Sequence, residues 1–147
     1  MIVVKLEEHL SQKDIDVLIR YSKMNQTVKR LITLIKSIDS SVKCNSDGIE
    51  TWVNASDIYY IESVDKRTFV YGEKFVCQTD LRLYQLIEEL SSVGFVQISK
   101  SCILNLNYLE SIRTLMNSRM EATLTNGERV TVTRKYIPKI KSSLLER

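Results

Sequence analysis

The stretch VQISKSCILNLNYLESI, residues 96–112, decides how the second half of this chain folds. Its apolar runs at 96–98 and 103–104 have the hydrophobic character of short buried strands. Between them stands Ser99-Lys100-Ser101, a small polar and cationic group where a core strand would continue. Charged side chains are almost never fully buried without a partner. The pattern therefore predicts two strands joined by a short, cation-bearing connection.

The same alternation of short apolar runs and turn residues extends over most of the chain. Ser46-Asp47-Gly48 and Asn126-Gly127 have the composition of hairpin turns, because glycine accepts positive φ without penalty. A helix is predicted at 79–90, capped by Thr79 or Asp80, and a weaker helical pattern covers 135–145. The strands predicted besides those at 96–98 and 103–104 are residues 49–53, 58–63, 68–70, 74–77, 108–115, 120–124 and 129–133.

The first forty residues have a different pattern. Residues 2–6 and 15–19 are rich in β-branched side chains and are predicted to be strands. Residues 25–39 have helical periodicity, with Leu31, Ile35 and Ile38 on one face. We therefore expect a mainly β fold preceded by a small β-β-α extension, with domains at 1–40 and 41–147. The extension is expected to pack on the domain or to mediate self-association.

Composition places the chain among ordinary globular proteins. Of its 147 residues, 44% are hydrophobic and 27% are charged, which is typical of that class. No apolar run has the length of a signal peptide or a membrane span, so a cytoplasmic protein is expected. Cys44, Cys77 and Cys102 are widely spaced and are expected to be reduced residues of the core or surface. Trp52 is expected to pack in the core or on a sheet, with a stacking position on the surface as the alternative.

No pattern in the sequence indicates catalysis. The single histidine, His9, stands beside Glu7 and Glu8, and no second metal ligand follows at a useful spacing. There is no glycine-rich phosphate loop and no G-x-S-x-G motif. We expect no enzymatic activity, no cofactor and no metal.

Positive charge is concentrated toward the end of the chain. Residues 96–147 contain nine Lys or Arg and four Asp or Glu, a net charge of +5, whereas the remainder carries −2. Three short connections combine cations with hydroxyl groups, a chemistry that suits phosphate and guanine. They are Lys66-Arg67-Thr68, Ser99-Lys100-Ser101 and Arg134-Lys135 with Thr133 before it. Polar loops are also the general rule in proteins, and composition alone leaves that alternative open.

The order of three longer motifs is more specific. ASDIYYIESVDKRTFVY, FVQISKSCILNLNYLESI and NGERVTVTRKYIPKIK follow one another in the chain, with a predicted helix after the first. Together they resemble the LytTR family of bacterial DNA-binding domains, over residues 42–145. The resemblance implies an elongated domain of about ten strands in antiparallel sheets, whose loops enter successive major grooves and bend the DNA.

The resemblance also implies where this chain contacts double-stranded promoter DNA. The sites carried over by position are Lys66, Arg67, Thr68, Ser99, Lys100, Ser101, Arg134 and Lys135. Some members carry histidine where Thr68 stands and asparagine where Lys100 stands, so the bases that are read differ within the family. Lys100, on this interpretation, interrupts the apolar run because the chain leaves the core there to present it to DNA.

Most regulators of this family carry a receiver domain that forty residues cannot hold, so the chain resembles the stand-alone type. For that type the resemblance implies binding to promoter repeats by a homodimer or by two copies. For some members it also implies control by a small membrane-protein antagonist. The alternative is a protein-interaction module that binds an acidic or membrane-protein partner through its basic face.

Overall fold

The computed structural model describes residues 1–145 of the chain. Within them it contains three α-helices, α1 (Gln26–Ile38), α2 (Leu83–Leu90) and α3 (Ile137–Leu145). The strands are β1 (Ser41–Ser46), β2 (Ile49–Asn54), β3 (Ile58–Val64), β4 (Arg67–Gly72), β5 (Val76–Thr79), β6 (Phe95–Ser99), β7 (Cys102–Asn105), β8 (Leu109–Thr114), β9 (Met120–Leu124) and β10 (Arg129–Val132). Glu146 and Arg147, the end of the expected DNA-binding domain, lie outside the described residues.

Seven of these strands form one antiparallel sheet in the order β2-β1-β5-β4-β3-β7-β6. The β1–β2 hairpin closes through the predicted glycine turn, where Asp47 and Gly48 have φ of 52° and 80°. The Asn45 side chain accepts a hydrogen bond from the Gly48 N–H at 3.0 Å and fixes this turn. Strand β3 pairs with β4 on one side and β7 on the other, so the turns that follow β3 and precede β7 lie at the same end of the sheet.

The remaining strands form a second antiparallel sheet in the order β10-β9-β8. Its β9–β10 hairpin uses the predicted Asn126-Gly127 turn, with Gly127 at φ 89°. The Asn126 side-chain oxygen accepts a hydrogen bond from the Glu128 N–H at 3.0 Å. A mainly β fold with antiparallel sheets of ten strands is thereby confirmed for the described residues.

Two hydrophobic clusters hold these layers together. Adjacent residues of a strand point to opposite faces, so Ile103 belongs to one cluster and Leu104 to the other. The first cluster contains Leu86 and Leu90 of α2, which cover the large sheet. The second joins the large sheet to the small sheet and to α3 through Ile140. Each such fully buried aliphatic side chain stabilises the fold by about 1.5–3 kcal/mol.

Asn105 is one of four buried polar residues in the described chain and has no exposed surface. Its side-chain nitrogen donates to the Ile58 carbonyl at 2.8 Å, and its oxygen accepts from the Asn107 N–H at 3.0 Å. Buried polar groups are tolerated when they are hydrogen-bonded in this way. Asn105 therefore locks the end of β7 to the beginning of β3.

Helix α1 begins at the predicted cap, since the Asn25 side-chain oxygen accepts from the Val28 N–H at 3.0 Å. It packs against two short 3₁₀ turns, Ala55–Asp57 and Ser91–Val93. Ile38, the last residue of its predicted apolar face, remains 62% exposed.

Two expectations are wrong in detail, and for Trp52 the surface alternative holds. Residues 2–6 and 15–19 form no strand, because no neighbouring strand supplies hydrogen bonds to them in the described chain. The helix predicted from residue 79 begins at Leu83, since Thr79 belongs to β5 and its hydroxyl donates to the Lys43 carbonyl at 2.9 Å. Trp52 lies on the edge strand β2 and is 66% exposed.

Candidate nucleic-acid interface

The β3–β4 turn carries the first predicted group. Its two central residues, Asp65 and Lys66, have φ of 50° and 67°, the geometry of a type I′ hairpin turn. Lys66 and Arg67 are exposed at its tip. Thr68, in contrast, is only 3% exposed. The structure therefore presents both cations of this group to solvent and keeps the Thr68 side chain within the packed sheet.

The β6–β7 turn carries the second group. Ser99 pairs with Cys102, and the register shifts between Gln97 and Ser99, so the strand bends where the predicted connection begins. The Ser99 hydroxyl accepts from the Ser101 N–H at 3.3 Å, and the Gln97 side chain donates to the Ser99 carbonyl at 3.0 Å. Lys100 and Ser101 are exposed, while Ser99 is half-buried. These bonds hold a lysine outward between two strands that are themselves buried.

The third group follows β10. The Thr133 N–H donates to the Ile98 carbonyl at 2.9 Å, which attaches the end of β10 to β6. The chain then forms a 3₁₀ turn, Arg134–Tyr136, in which Arg134 and Lys135 are exposed. The Lys135 ammonium lies 5.6 Å from the centre of the Tyr136 ring, within range of a cation–π contact.

Two long-range hydrogen bonds bring the three groups to one end of the large sheet. The Thr133–Ile98 bond places Arg134 beside the β6–β7 turn. The Ser63 N–H donates to the Ser101 carbonyl at 2.8 Å and places the β3–β4 turn on the other side of it. We call this surface the basic end, defined as Lys66, Arg67, Lys100, Arg134 and Lys135 with the two turns and the 3₁₀ turn that carry them.

Arg82 is a further member that the sequence did not indicate. Its guanidinium donates to the Lys66 carbonyl at 3.0 Å, so it fastens the loop before α2 to the β3–β4 turn. Arg82 and Lys100 line a cleft of about 550 Å³ together with Ser63, Thr68 and Ser101. The described residues that line it include no carboxylate. The sequence around Arg82 does not indicate that it joins this surface, because its hydrogen bond to Lys66 spans sixteen residues.

The charges of the basic end are available to a ligand. Among the described residues, its five cations form no salt bridge within 4.0 Å, whereas Arg113 and Arg129 on the small sheet both face Glu121. Cys102 lies next to the β6–β7 turn, and burial, aided by the nearby Glu62 charge, raises the pKa of its thiol to about 12. It therefore remains a neutral thiol and contributes no negative charge to this surface.

Within residues 1–145, no group of three or more His, Cys, Asp or Glu side chains is placed to hold a metal ion. No helix in this part of the chain is long and apolar enough to cross a membrane.

Comparison with known proteins identifies the family of this fold. The LytTr DNA-binding domain family matches residues 51–145. A solved LytTr DNA-binding domain from Bacillus cereus superimposes with a TM-score of 0.68 and 27% identity, covering 71% of this chain and 96% of that domain.

Two curated relatives are similar over most of the chain. The sensory transduction protein LytT of Bacillus cereus is 26% identical over 138 residues, which cover 90% of this chain and 56% of LytT. An uncharacterized HTH-type transcriptional regulator of Staphylococcus aureus is 27% identical over 124 residues, 83% of this chain and 84% of that protein. The chain thus spans little more than half of the LytT protein. From the family match and the shared fold, the chain belongs to the LytTR family of DNA-binding domains.

Proposed function

We propose that this protein is a sequence-specific transcriptional regulator that binds promoter DNA in the cytoplasm and contacts the major groove through its basic end. The observation that carries the proposal is the pair of hydrogen bonds, Thr133 to Ile98 and Ser63 to Ser101, that join three cation-bearing segments. Segments from distant parts of the sequence converge there, and none of their five cations forms a salt bridge with a described residue, although Asp65 lies beside Lys66 in the β3–β4 turn. The family membership supports DNA as the partner.

The residues of the basic end would divide into base readers and phosphate anchors. Arginine presents a planar fork that matches the O6 and N7 acceptors of guanine in the major groove. Arg134, at the start of the 3₁₀ turn, is the proposed base reader, with the Lys100 turn entering the groove beside it. Lys66, Arg67 and Lys135 would contact phosphates, which position the protein and supply most of the sequence-independent affinity.

Ser99, Ser101 and Thr68 have supporting parts in this proposal. The Ser99 hydroxyl orders the turn, and the exposed Ser101 hydroxyl is free to donate to a phosphate oxygen. The buried Thr68 would shape the turn that presents Lys66 and Arg67 rather than touch DNA itself. The proposed mode needs no recognition helix, since no two helices follow each other directly within residues 1–145.

The proposal is tested by competition titration of the full chain. A labelled duplex from the region upstream of its own gene is bound at two salt concentrations, and unrelated duplex is added as competitor. Lys74→Ala is the matched control, because Lys74 is exposed at the opposite end of β4 from Arg67.

We expect a preference for the upstream duplex that persists at the higher salt, is lost in Arg134→Ala and is retained in Lys74→Ala. Equal and salt-labile binding to both duplexes would contradict sequence-specific regulation. That result would instead favour the second candidate, a module whose basic end binds an acidic protein such as a membrane-protein antagonist.

A further inference from the structure

The N-terminal arm, defined as residues 1–24, is the most apolar exposed surface in the described chain. Of the nineteen large hydrophobic side chains exposed there, eleven belong to the arm. They are Met1, Ile2, Val3, Val4, Leu6, Leu10, Ile15, Val17, Leu18, Tyr21 and Met24. A concentration of exposed apolar side chains of this kind is typical of an interaction site.

The backbone of the arm is also unpaired. Among residues 1–24 it forms one internal hydrogen bond, from the Gln12 N–H to the His9 carbonyl at 3.0 Å. This bond closes a two-residue turn, but neither Leu10 nor Ser11 has the positive φ of a type I′ or II′ turn. Turns of the other types splay the flanking strands apart. Neither half of the arm therefore forms a strand, and most of its N–H and C=O groups have no partner in the described chain, the Asp14 carbonyl, which accepts from the Gln12 side chain at 2.9 Å, being an exception.

The sequence of the arm nevertheless encodes a paired ribbon. In the register set by His9 and Gln12, residues 2–8 stand antiparallel to residues 13–19. Because side chains alternate between faces, one face of that ribbon is apolar except for the Glu8–Lys13 pair next to the turn. Its facing pairs are Ile2 with Ile19, Val4 with Val17 and Leu6 with Ile15.

Charges in the same register favour pairing as well. The charged pairs, from the open end toward the turn, are Lys5 with Asp16, Glu7 with Asp14 and Glu8 with Lys13. Two of the three pairs are opposite in sign, which stabilises antiparallel strands. The whole arm carries four Lys or Arg and four Asp or Glu. Unlike the basic end, it can approach an identical arm without net repulsion.

We propose that the arm is the interface with a second copy of this chain. Residues 2–8 of one copy pair with residues 13–19 of the other, and the reciprocal pairing follows from the two-fold axis. An isolated two-stranded ribbon is marginally stable in water, whereas three or more strands with an apolar face are stable. Two arms supply four strands and bury their apolar faces against each other. The pairing requires no DNA, so it can fail or succeed independently of the proposed function.

Sedimentation equilibrium of the full chain, without DNA, tests the assembly. We expect dimers at micromolar concentrations and a dissociation constant raised roughly tenfold or more in Leu6→Asp and in Val17→Asp, because each places a carboxylate in an apolar interface. Ile49→Asp is the matched control, since Ile49 is 68% exposed on β2, outside the arm. A monomeric wild-type chain, or arm variants that dimerise as tightly as the control, would overturn the proposal.

Disulfide trapping separates pairing between copies from a hairpin closed within one copy. Chains carrying Leu6→Cys are mixed with chains carrying Ile15→Cys and are mildly oxidised. Facing residues of antiparallel strands have Cα atoms about 4.5–5.5 Å apart, within disulfide range. We expect a covalent dimer on a non-reducing gel, and much less when Lys5→Cys, on the other face, replaces Leu6→Cys. No crosslink in the mixture, with an intrachain disulfide in the Leu6→Cys/Ile15→Cys double variant, would refute exchange between copies.

Discussion

Replacing Arg134 or Lys135 by alanine separates base reading from phosphate anchoring on a single 3₁₀ turn. Both side chains are exposed and form no salt bridge with a described residue. Their removal therefore leaves no buried group unpaired, and the free energy of unfolding should change by no more than about 0.5 kcal/mol. Any larger loss of DNA affinity then reports on binding and not on folding.

The two variants should differ in what they lose. Arg134→Ala removes a proposed bidentate guanine contact and should cost roughly 1–3 kcal/mol on the preferred duplex, with a small effect on unrelated duplex. Lys135→Ala removes a phosphate contact, so it should weaken both duplexes about equally and reduce the slope of log affinity against log salt by about 0.9. Fluorescence anisotropy at several salt concentrations measures both quantities. Indistinguishable behaviour of the two variants would refute this division of roles.

Three further changes test other parts of the structure. Lys66→Gly relieves a left-handed backbone and should raise the free energy of unfolding, measured in urea melts, by about 0.5–1 kcal/mol. The same variant should bind every duplex more weakly in a DNA titration, and a destabilised variant would argue against the strained turn. Asn105→Ala should lower that free energy by about 1–3 kcal/mol in urea melts, because it leaves buried backbone partners unsatisfied, and a neutral result would contradict the bonds assigned to it. Burial raises the pKa of the Cys102 thiol from 9.0 to about 12, so the unfolded chain loses this proton first and the stability of the fold should decrease as the pH rises between those two values, but not below them. Thermal melts at a series of pH values should show a shallower decrease in stability for Cys102→Ala than for the unsubstituted chain, and an identical decrease would exclude the thiol as a cause.

Local sequence was sufficient to predict the structure where a turn or a strand depends on its own residues. The Asn126-Gly127 hairpin and the Asn25 cap both formed as predicted, because glycine geometry and side-chain capping act within a few residues. The apolar pattern located nine of the ten strands to within a few residues, whereas β1 (Ser41–Ser46) was not predicted. The cation-bearing connections were also recognised, since a lysine between buried strands has to reach solvent.

Sequence reasoning failed where the outcome depends on distant partners. Residues 2–6 have the composition of a strand but find no edge to pair with in the described chain. Arg82 joins the basic end only because the fold brings it to the Lys66 carbonyl. Thr68 stands beside two cations and was predicted to contact DNA, yet the register of β4 with β5 places it opposite Thr79 and buries it. Each of these results depends on contacts between segments that are distant in the sequence, which local periodicity does not determine.

Methylation interference tests the central claim, that the basic end reads the major groove, most directly. Dimethyl sulfate modifies guanine N7 in the major groove and adenine N3 in the minor groove, so one partially methylated pool of the preferred duplex probes both. We expect methylation of guanine N7 to block binding at defined positions, and Arg134→Ala to lose this sensitivity at one guanine. Interference confined to adenine N3, or none at any guanine, would contradict it.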